Sequence, residues 1–156
     1  MLFTCSLLGQ GIGVADLTKM SKMNNSEIET FLNEKGYVIE NIEKQNHSTT
    51  LVYIRYSPKF WVGISDFNDS CKILYCDFQD TKFFNLQKTE ILKLGFKYSK
   101  QSVFYDNKTA SGDTYKSIFY DYIKGKNKIS FITQIFKTYI QYEIAYYLDC
   151  PDINVN

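Results

Sequence analysis

Twice along the chain the apolar residues change from a helical to an alternating period. Each change falls across a glycine followed by an aromatic residue, Gly36-Tyr37 and Gly95-Phe96. Before the first junction, Ile28, Phe31 and Leu32 lie at i, i+3 and i+4, one face of a short helix. Ser26-Glu27-Ile28-Glu29 reads as its capping box, the Ser hydroxyl and the Glu29 carboxylate each satisfying a free backbone amide. A preceding helical turn fits Asp16 through Met20 and Met23. Before the second junction Asn85 is a suitable N-cap, and Ile91 and Leu92 supply the apolar face. Each glycine is placed to end its helix in the left-handed conformation, with the aromatic residue closing the last turn.

After each junction alternation predicts strands: 37–44, 49–56, 60–64 and 71–78, then 96–105, 115–124, 128–136 and 139–148. Gln45-Asn46-His47 and Gly125-Lys126-Asn127 supply turns, Pro58 stops a strand, and 107–113 reads as a polar loop inserted in the second half. Residues 132–148 also fit a helical period, and their β-branched and aromatic content favours strands. The expected fold class is α+β: two helix-then-antiparallel-strand repeats, with the short helices packed on one face of a sheet. The divisions are 1–15 as a signal-peptide remnant, 16–80 as the first repeat, 81–150 as the second and 151–156 as a tail, the repeats forming one compact domain. The helix-facing set is expected to include Val52, Ile54, Leu74, Ile118, Ile129, Phe131, Ile140 and Ile144. The opposite face would then carry Tyr53, Arg55, Tyr75, Asp77, Phe119, Asp121, Gln141, Glu143 and Tyr147.

At 156 residues and 44% hydrophobic, the chain is long and apolar enough to bury a core. Lys and Arg number 18 against 17 Asp and Glu, a balance that argues against a nucleic-acid binder, which needs a basic stripe to displace counterions. Lys124, Lys126 and Lys128 read instead as the solvated tip of a hairpin. Aromatic residues make up 17% of the chain, an excess that suits half-buried sheet surfaces and recognition surfaces, since a phenol joins apolar area to a polar tip. No run approaches the ~20 apolar residues of a membrane span.

The segment Met1 to Ala15 is apolar and uncharged and ends in the small-x-small sequence Gly13-Val14-Ala15. It reads as the back half of a secretory signal peptide, cleaved before Asp16, and implies a secreted or periplasmic protein. The competing reading is a buried N-terminal strand or helix. Cys71 and Cys76 are five apart in one strand, so they point to opposite faces and do not pair together. Either has Cys150 as an available partner, but three reduced cysteines are the expected state.

Catalytic chemistry finds little footing. The single histidine, His47, sits in a Gln-Asn-His-Ser turn and reads as a solvated turn residue, with nothing in the sequence pairing it with Cys71 or Cys76. Asp66, Asp69, Asp77 and Asp80 cluster along the chain, mostly in turn contexts where Asp caps backbone amides. They lack the order of a calcium loop, Gly9-Gln10-Gly11-Ile12-Gly13 has no preceding strand to make it a dinucleotide loop, and no metal or cofactor is called for. Trp61 is the residue that most invites a binding role, because Trp is enriched at interface hot spots.

The doubled helix-then-meander pattern, with Lys35-Gly36-Tyr37 and Leu94-Gly95-Phe96 at its junctions, resembles the tandem architecture of β-lactamase-inhibitor-like proteins and small outer-membrane assembly lipoproteins. It is also similar to a group of uncharacterised secreted bacterial proteins with the same junctions. The resemblance covers residues 26–148 and carries over no functional residue, the inhibitor activity of one relative being an analogy of fold. The mixed aromatic and charged face opposite the helices has the composition of a recognition surface, and the expected function is an exported, non-enzymatic protein-binding module, inhibitor-like or assembly-factor-like. Its candidate binding residues are Trp61, Tyr53, Arg55, Tyr75, Asp77, Phe119 and Tyr147. The partner is expected to be a protein, not a nucleic acid, with a small molecule left open. The alternatives are a small carboxylate-dependent hydrolase and a carrier of an apolar ligand.

Overall fold

The structure, a computed structural model, describes residues 11–56, 59–67, 71–109 and 112–150. Two short helices, α1 (Val14–Met20) and α2 (Asn25–Glu34), lead into the strands β1 (Val38–Gln45), β2 (Ser48–Tyr56), β3 (Lys59–Phe67) and β4 (Cys71–Phe78). Helix α3 (Thr81–Lys93) then precedes β5 (Lys97–Lys108), β6 (Thr114–Lys124), β7 (Asn127–Ile135) and β8 (Ile140–Leu148). The strands make one antiparallel sheet in the order β1-β2-β3-β4-β8-β7-β6-β5. The α+β class holds, and the segment with two competing periods is strand throughout β7 and β8.

Both helix stops work as the sequence suggests. Gly36 and Gly95 have φ of 81° and 82°. Tyr37 N–H donates to the Leu32 carbonyl and Gly36 N–H to Asn33, and the pairs Phe96–Ile91 and Gly95–Leu92 repeat the pattern. These are Schellman closures, and each buries its aromatic residue. The helix starts differ from expectation. The cap of α2 is Asn24 with Glu27, two residues before the expected Ser26–Glu29 box: Glu27 N–H donates to Asn24 and Asn24 N–H to the Glu27 carboxylate. The cap of α3 is Asp80, which accepts from the amides of Lys82 and Phe83, so Asn85 lies inside the helix. In both cases a side chain one turn earlier reaches the free amides first, and the later polar residue is absorbed into the helix.

All three helices bury side chains in one cluster with one face of the sheet, including Leu17, Leu32, Tyr53, Val62, Leu74, Cys76, Ile91, Phe131 and Ile144. Leu74, Ile129, Phe131 and Ile144 lie on this face as expected, and register puts Ile118 and the exposed Ile140 there too. In β2 the assignment is reversed. Tyr53 pairs with Val62, which pairs with Cys76, so Tyr53 and Arg55 are on the helix side and Val52 and Ile54 are on the other. Both alternations of β2 carry two apolar residues, so the pattern alone does not choose between them, and a one-residue shift inverts a strand. Tyr53 is fully buried, and Arg55 is tolerated there because its guanidinium lies 5.3 Å from the ring centres of both Tyr37 and Phe60.

The N-terminal reading changes as well. Residues 1–10 lie outside the described residues, but Ile12 and Val14 are fully buried. The Ile12 carbonyl accepts from the Cys76 thiol, and Val14 N–H donates to Gln87 of α3. A Cβ at Gly11 would collide with Phe60 and one at Gly13 with Gln87. Gly11 and Gly13 thus lie where the chain passes closely against Phe60 of β3 and Gln87 of α3. A mature chain beginning at Asp16 would lack two core side chains.

The cysteines are not all reduced. Cys71 at the start of β4 is bonded to Cys150 just beyond β8, across 79 residues, and Cys76 is left as a buried free thiol. The basic hairpin tip is partly engaged: Lys124 donates to the Leu94 carbonyl at the end of α3, and Lys128 lies 4.0 Å from the Tyr147 ring centre.

Because a β-branched side chain resists positive φ, Gly36→Val and Gly95→Val should each destabilise the fold by roughly 1 kcal/mol or more. Urea midpoints check this, and unchanged midpoints for both would contradict the helix-stop assignment.

Candidate functional site

Among the described residues no helix packs on the second sheet face, which we call the open face. It is not simply solvated. Ile54, Ile132 and Ala145 are buried on it, outside the helix-side cluster, and so are Ser130 and Asp121. Their cover comes from larger side chains of the same face. Gly63 illustrates this: a Cβ there would run into the Tyr75 ring, so the glycine exists to let that ring lie flat across β3.

The centre of this face is the seam where β4 pairs with β8. Register places Asp77 directly opposite Glu143. The row continues to Trp61 on one side and to Ile132 and Phe119 on the other. Residues opposite one another have Cβ atoms about 4.5–5.5 Å apart, so the two carboxyls are neighbours. Two carboxyls so close in a crowded setting oppose each other's ionisation. Burial pushes Asp77 up to about 7 against the lowering effect of a hydrogen bond from Gln141. Burial, and then the Asp77 charge, push Glu143 up to about 8. Gln134 donates weakly to Glu143 at 3.5 Å. Asp77 Oδ1 is shut off from solvent and accepts no hydrogen bond among the described residues. The two carboxyls face each other across the seam, so they titrate as a coupled unit.

Two tyrosines flank the pair. Burial pushes both Tyr75 and Tyr147 up to about 12, with the Asp77 and Glu143 charges adding to it at Tyr75 and the Glu143 charge at Tyr147. Tyr147 is hydrogen-bonded to Ser130, whose hydroxyl donates to Asp121 at 2.6 Å. Trp61 is fixed beside Asp77 in the row, with its indole N–H donating to Glu40 at 3.1 Å and Lys59 4.4 Å from its ring centre. Phe119 packs edge-to-face on Phe104.

Of the seven residues proposed from sequence, five therefore share this face: Trp61, Tyr75, Asp77, Phe119 and Tyr147. Tyr53 and Arg55 do not belong to it. The acidic cluster read along the chain does not assemble. Asp66 is paired with Lys72 at 3.4 Å and accepts from Asn25, Asp80 caps α3, and Asp69 lies outside the described residues. The carboxylate pair that does form joins Asp77 to Glu143, 66 positions later, and only the β4–β8 register brings them together. His47 is exposed at the β1–β2 turn. A surface cleft beside the disulfide is lined by Asn24, Asn25, Asp66, Lys72 and Asp149, and Lys72, Asn25 and Asp66 already satisfy one another. Comparison with known protein families, characterised proteins and solved structures finds no match to this chain.

The raised carboxyls make a stability prediction with a definite sign. In the unfolded chain both lose their protons near the ordinary carboxylate range of about 4, whereas the folded pair keeps them longer. Stability is thus full below that range, falls as pH rises through about 7 and 8, and levels off above. Asp77→Asn or Glu143→Gln should flatten this decline in urea midpoints measured across pH. An equally steep decline in both variants would contradict the assignment of the raised, coupled carboxyls.

Proposed function

We propose that this chain is an exported protein-binding module that recognises its partner through the open face of the sheet. The observation that carries this reading is the combination of aromatic and charged side chains on a face that no described helix covers. With strands about 4.8 Å apart and about 3.3 Å per residue, the face measures roughly 34 by 26 Å, close to the ~800 Å² per partner of a standard interface. Trp61 and Phe119 lie in the central row on either side of the carboxyl pair as aromatic anchors. Export is supported by the Cys71–Cys150 disulfide, since such bonds persist mainly in oxidising compartments. Any leader processing then falls upstream of Gly11.

The module is, on this reading, a tandem repeat, with α1–α2 and β1–β4 as one unit and α3 with β5–β8 as the other. The matching Schellman glycines and the mirrored strand order about the β4–β8 seam support it. This architecture is what resembles the β-lactamase-inhibitor-like proteins, and the inhibitor-like or assembly-factor-like role follows by analogy of fold. A second reading, a small carboxylate-dependent hydrolase, draws on the Asp77–Glu143 pair alone, since a pair of carboxyl groups is what glycoside hydrolysis uses.

Capture from a cell-envelope extract of the native host tests the binding reading. Trp61→Ala and Phe119→Ala should melt close to wild type yet each weaken retention of the captured partner by ~1–2 kcal/mol. Equal retention by wild type and by both folded variants would contradict it.

A further inference from the structure

The open face carries an anionic site with no cation in it. Neither Asp77 nor Glu143 makes an ion pair among the described residues, and Asp77 Oδ1 lacks a hydrogen-bond partner. The other charges on this face do not neutralise the pair. Glu40 and Glu43 on β1 and Asp121 on β6 add negative charge. Lys59 lies on the Trp61 ring and Lys128 on the Tyr147 ring. Lys97 and Lys100 belong to the edge strand β5, four strands from Asp77. A metal ion is a poor occupant, because no group of three or more His, Cys, Asp or Glu able to hold one occurs among the described residues.

We propose that the Asp77–Glu143 pair receives the guanidinium of an arginine presented by a protein partner docking on the open face. The proposal deepens the binding reading above and rests on it. Two carboxyls side by side on neighbouring strands match the planar fork of a guanidinium, which bonds carboxylates through two parallel N–H donors. Trp61 at one end of the pair and Tyr75 beside it offer aromatic surface on which a guanidinium stacks. The size of the face suits a protein surface better than a free amine.

Binding has a defined proton balance. At mildly acidic pH the free carboxyls are protonated, the arriving cation favours their ionised forms, and the displaced protons pass to the buffer. Affinity for arginine therefore rises with pH by up to about tenfold per unit while the pair remains protonated. An unpaired acidic patch already ionised at neutral pH would show no such dependence.

The test uses the full chain and a five-residue peptide, acetylated and amidated, with arginine at its centre and glycine elsewhere. An otherwise identical citrulline peptide keeps the shape and removes the charge. The chain has one Trp, so the Trp61 indole N–H resonance is a unique reporter beside the site. The arginine peptide should shift that resonance, bind at least about tenfold more tightly near pH 8 than near pH 5.5, and release a proton seen by calorimetry in buffers of different ionisation enthalpy. The citrulline peptide should leave the resonance unmoved. Asp77→Asn and Glu143→Gln should each abolish the arginine response while the melts show a folded protein.

Equal binding of citrulline, binding unaffected by pH, or binding retained in both variants would overturn the proposal. So would spermidine or magnesium binding more tightly than the arginine peptide, which would assign the pair to a free cation. If arginine fails while Trp61→Ala and Phe119→Ala still lose the captured partner, the arginine receptor falls and the docking face stands. If those variants retain the partner as well, both fall.

Discussion

The pairing of β4 with β8 is the interaction on which the rest of the structure depends. Each four-stranded meander is held together by local hairpins, but the two become one sheet only along this seam. Its seven paired positions set Cys76 against Ile144 on the helix side and Asp77 against Glu143 on the open side. The helix side of the seam is closed by α1 and α3, linked through the Val14–Gln87 hydrogen bond, while the Ile12 carbonyl accepts from the Cys76 thiol. The Cys71–Cys150 bond staples one end of the same seam. An apolar cross-strand pair there would be the conventional choice for stability. The chain instead places two carboxyls opposite each other, where like charges are destabilising. A residue pair that costs stability at a central position is the kind of local conflict that functional sites show.

What the sequence made legible follows the physics of local signals. The two helix stops were readable because a glycine and a following aromatic residue are all that a Schellman closure requires. Strand positions were readable wherever one alternation was clearly apolar, as with Leu74, Cys76 and Phe78 against Tyr75 and Asp77. β2 was not readable, because Leu51 and Tyr53 compete with Val52 and Ile54 on equal terms, and the packing of Tyr53 on Val62 decides. The helix caps were misplaced by about one turn since several polar residues precede each helix and only geometry selects among them. At Gly13 the sequence is ambiguous, because a small residue that permits close packing looks the same as a small residue that suits a protease.

The candidate site was half legible. Asp77, Tyr75, Tyr147 and Phe119 were assigned to one face by alternation, and Trp61 joins them through the β3–β4 register. Glu143 was assigned to that face too, but its partnership with Asp77 depends on a register between strands 66 positions apart, which no local pattern encodes. The disulfide was hidden for the same reason. Cys71 and Cys76 were equal candidates for Cys150 until the seam placed Cys71 beside it and turned Cys76 into the core.

The central claim is that Asp77 and Glu143 form one titrating unit on the open face, and carbon-13 NMR of the side-chain carboxyls measures it directly. Labelled Asp and Glu followed from acid to mildly alkaline pH should show Asp77 and Glu143 ionising in two linked steps well above the ordinary carboxylate range of about 4. Each signal should respond to the other's ionisation, and Glu143→Gln should return Asp77 to a single step at lower pH. Two independent transitions near 4, unchanged by that substitution, would contradict the account.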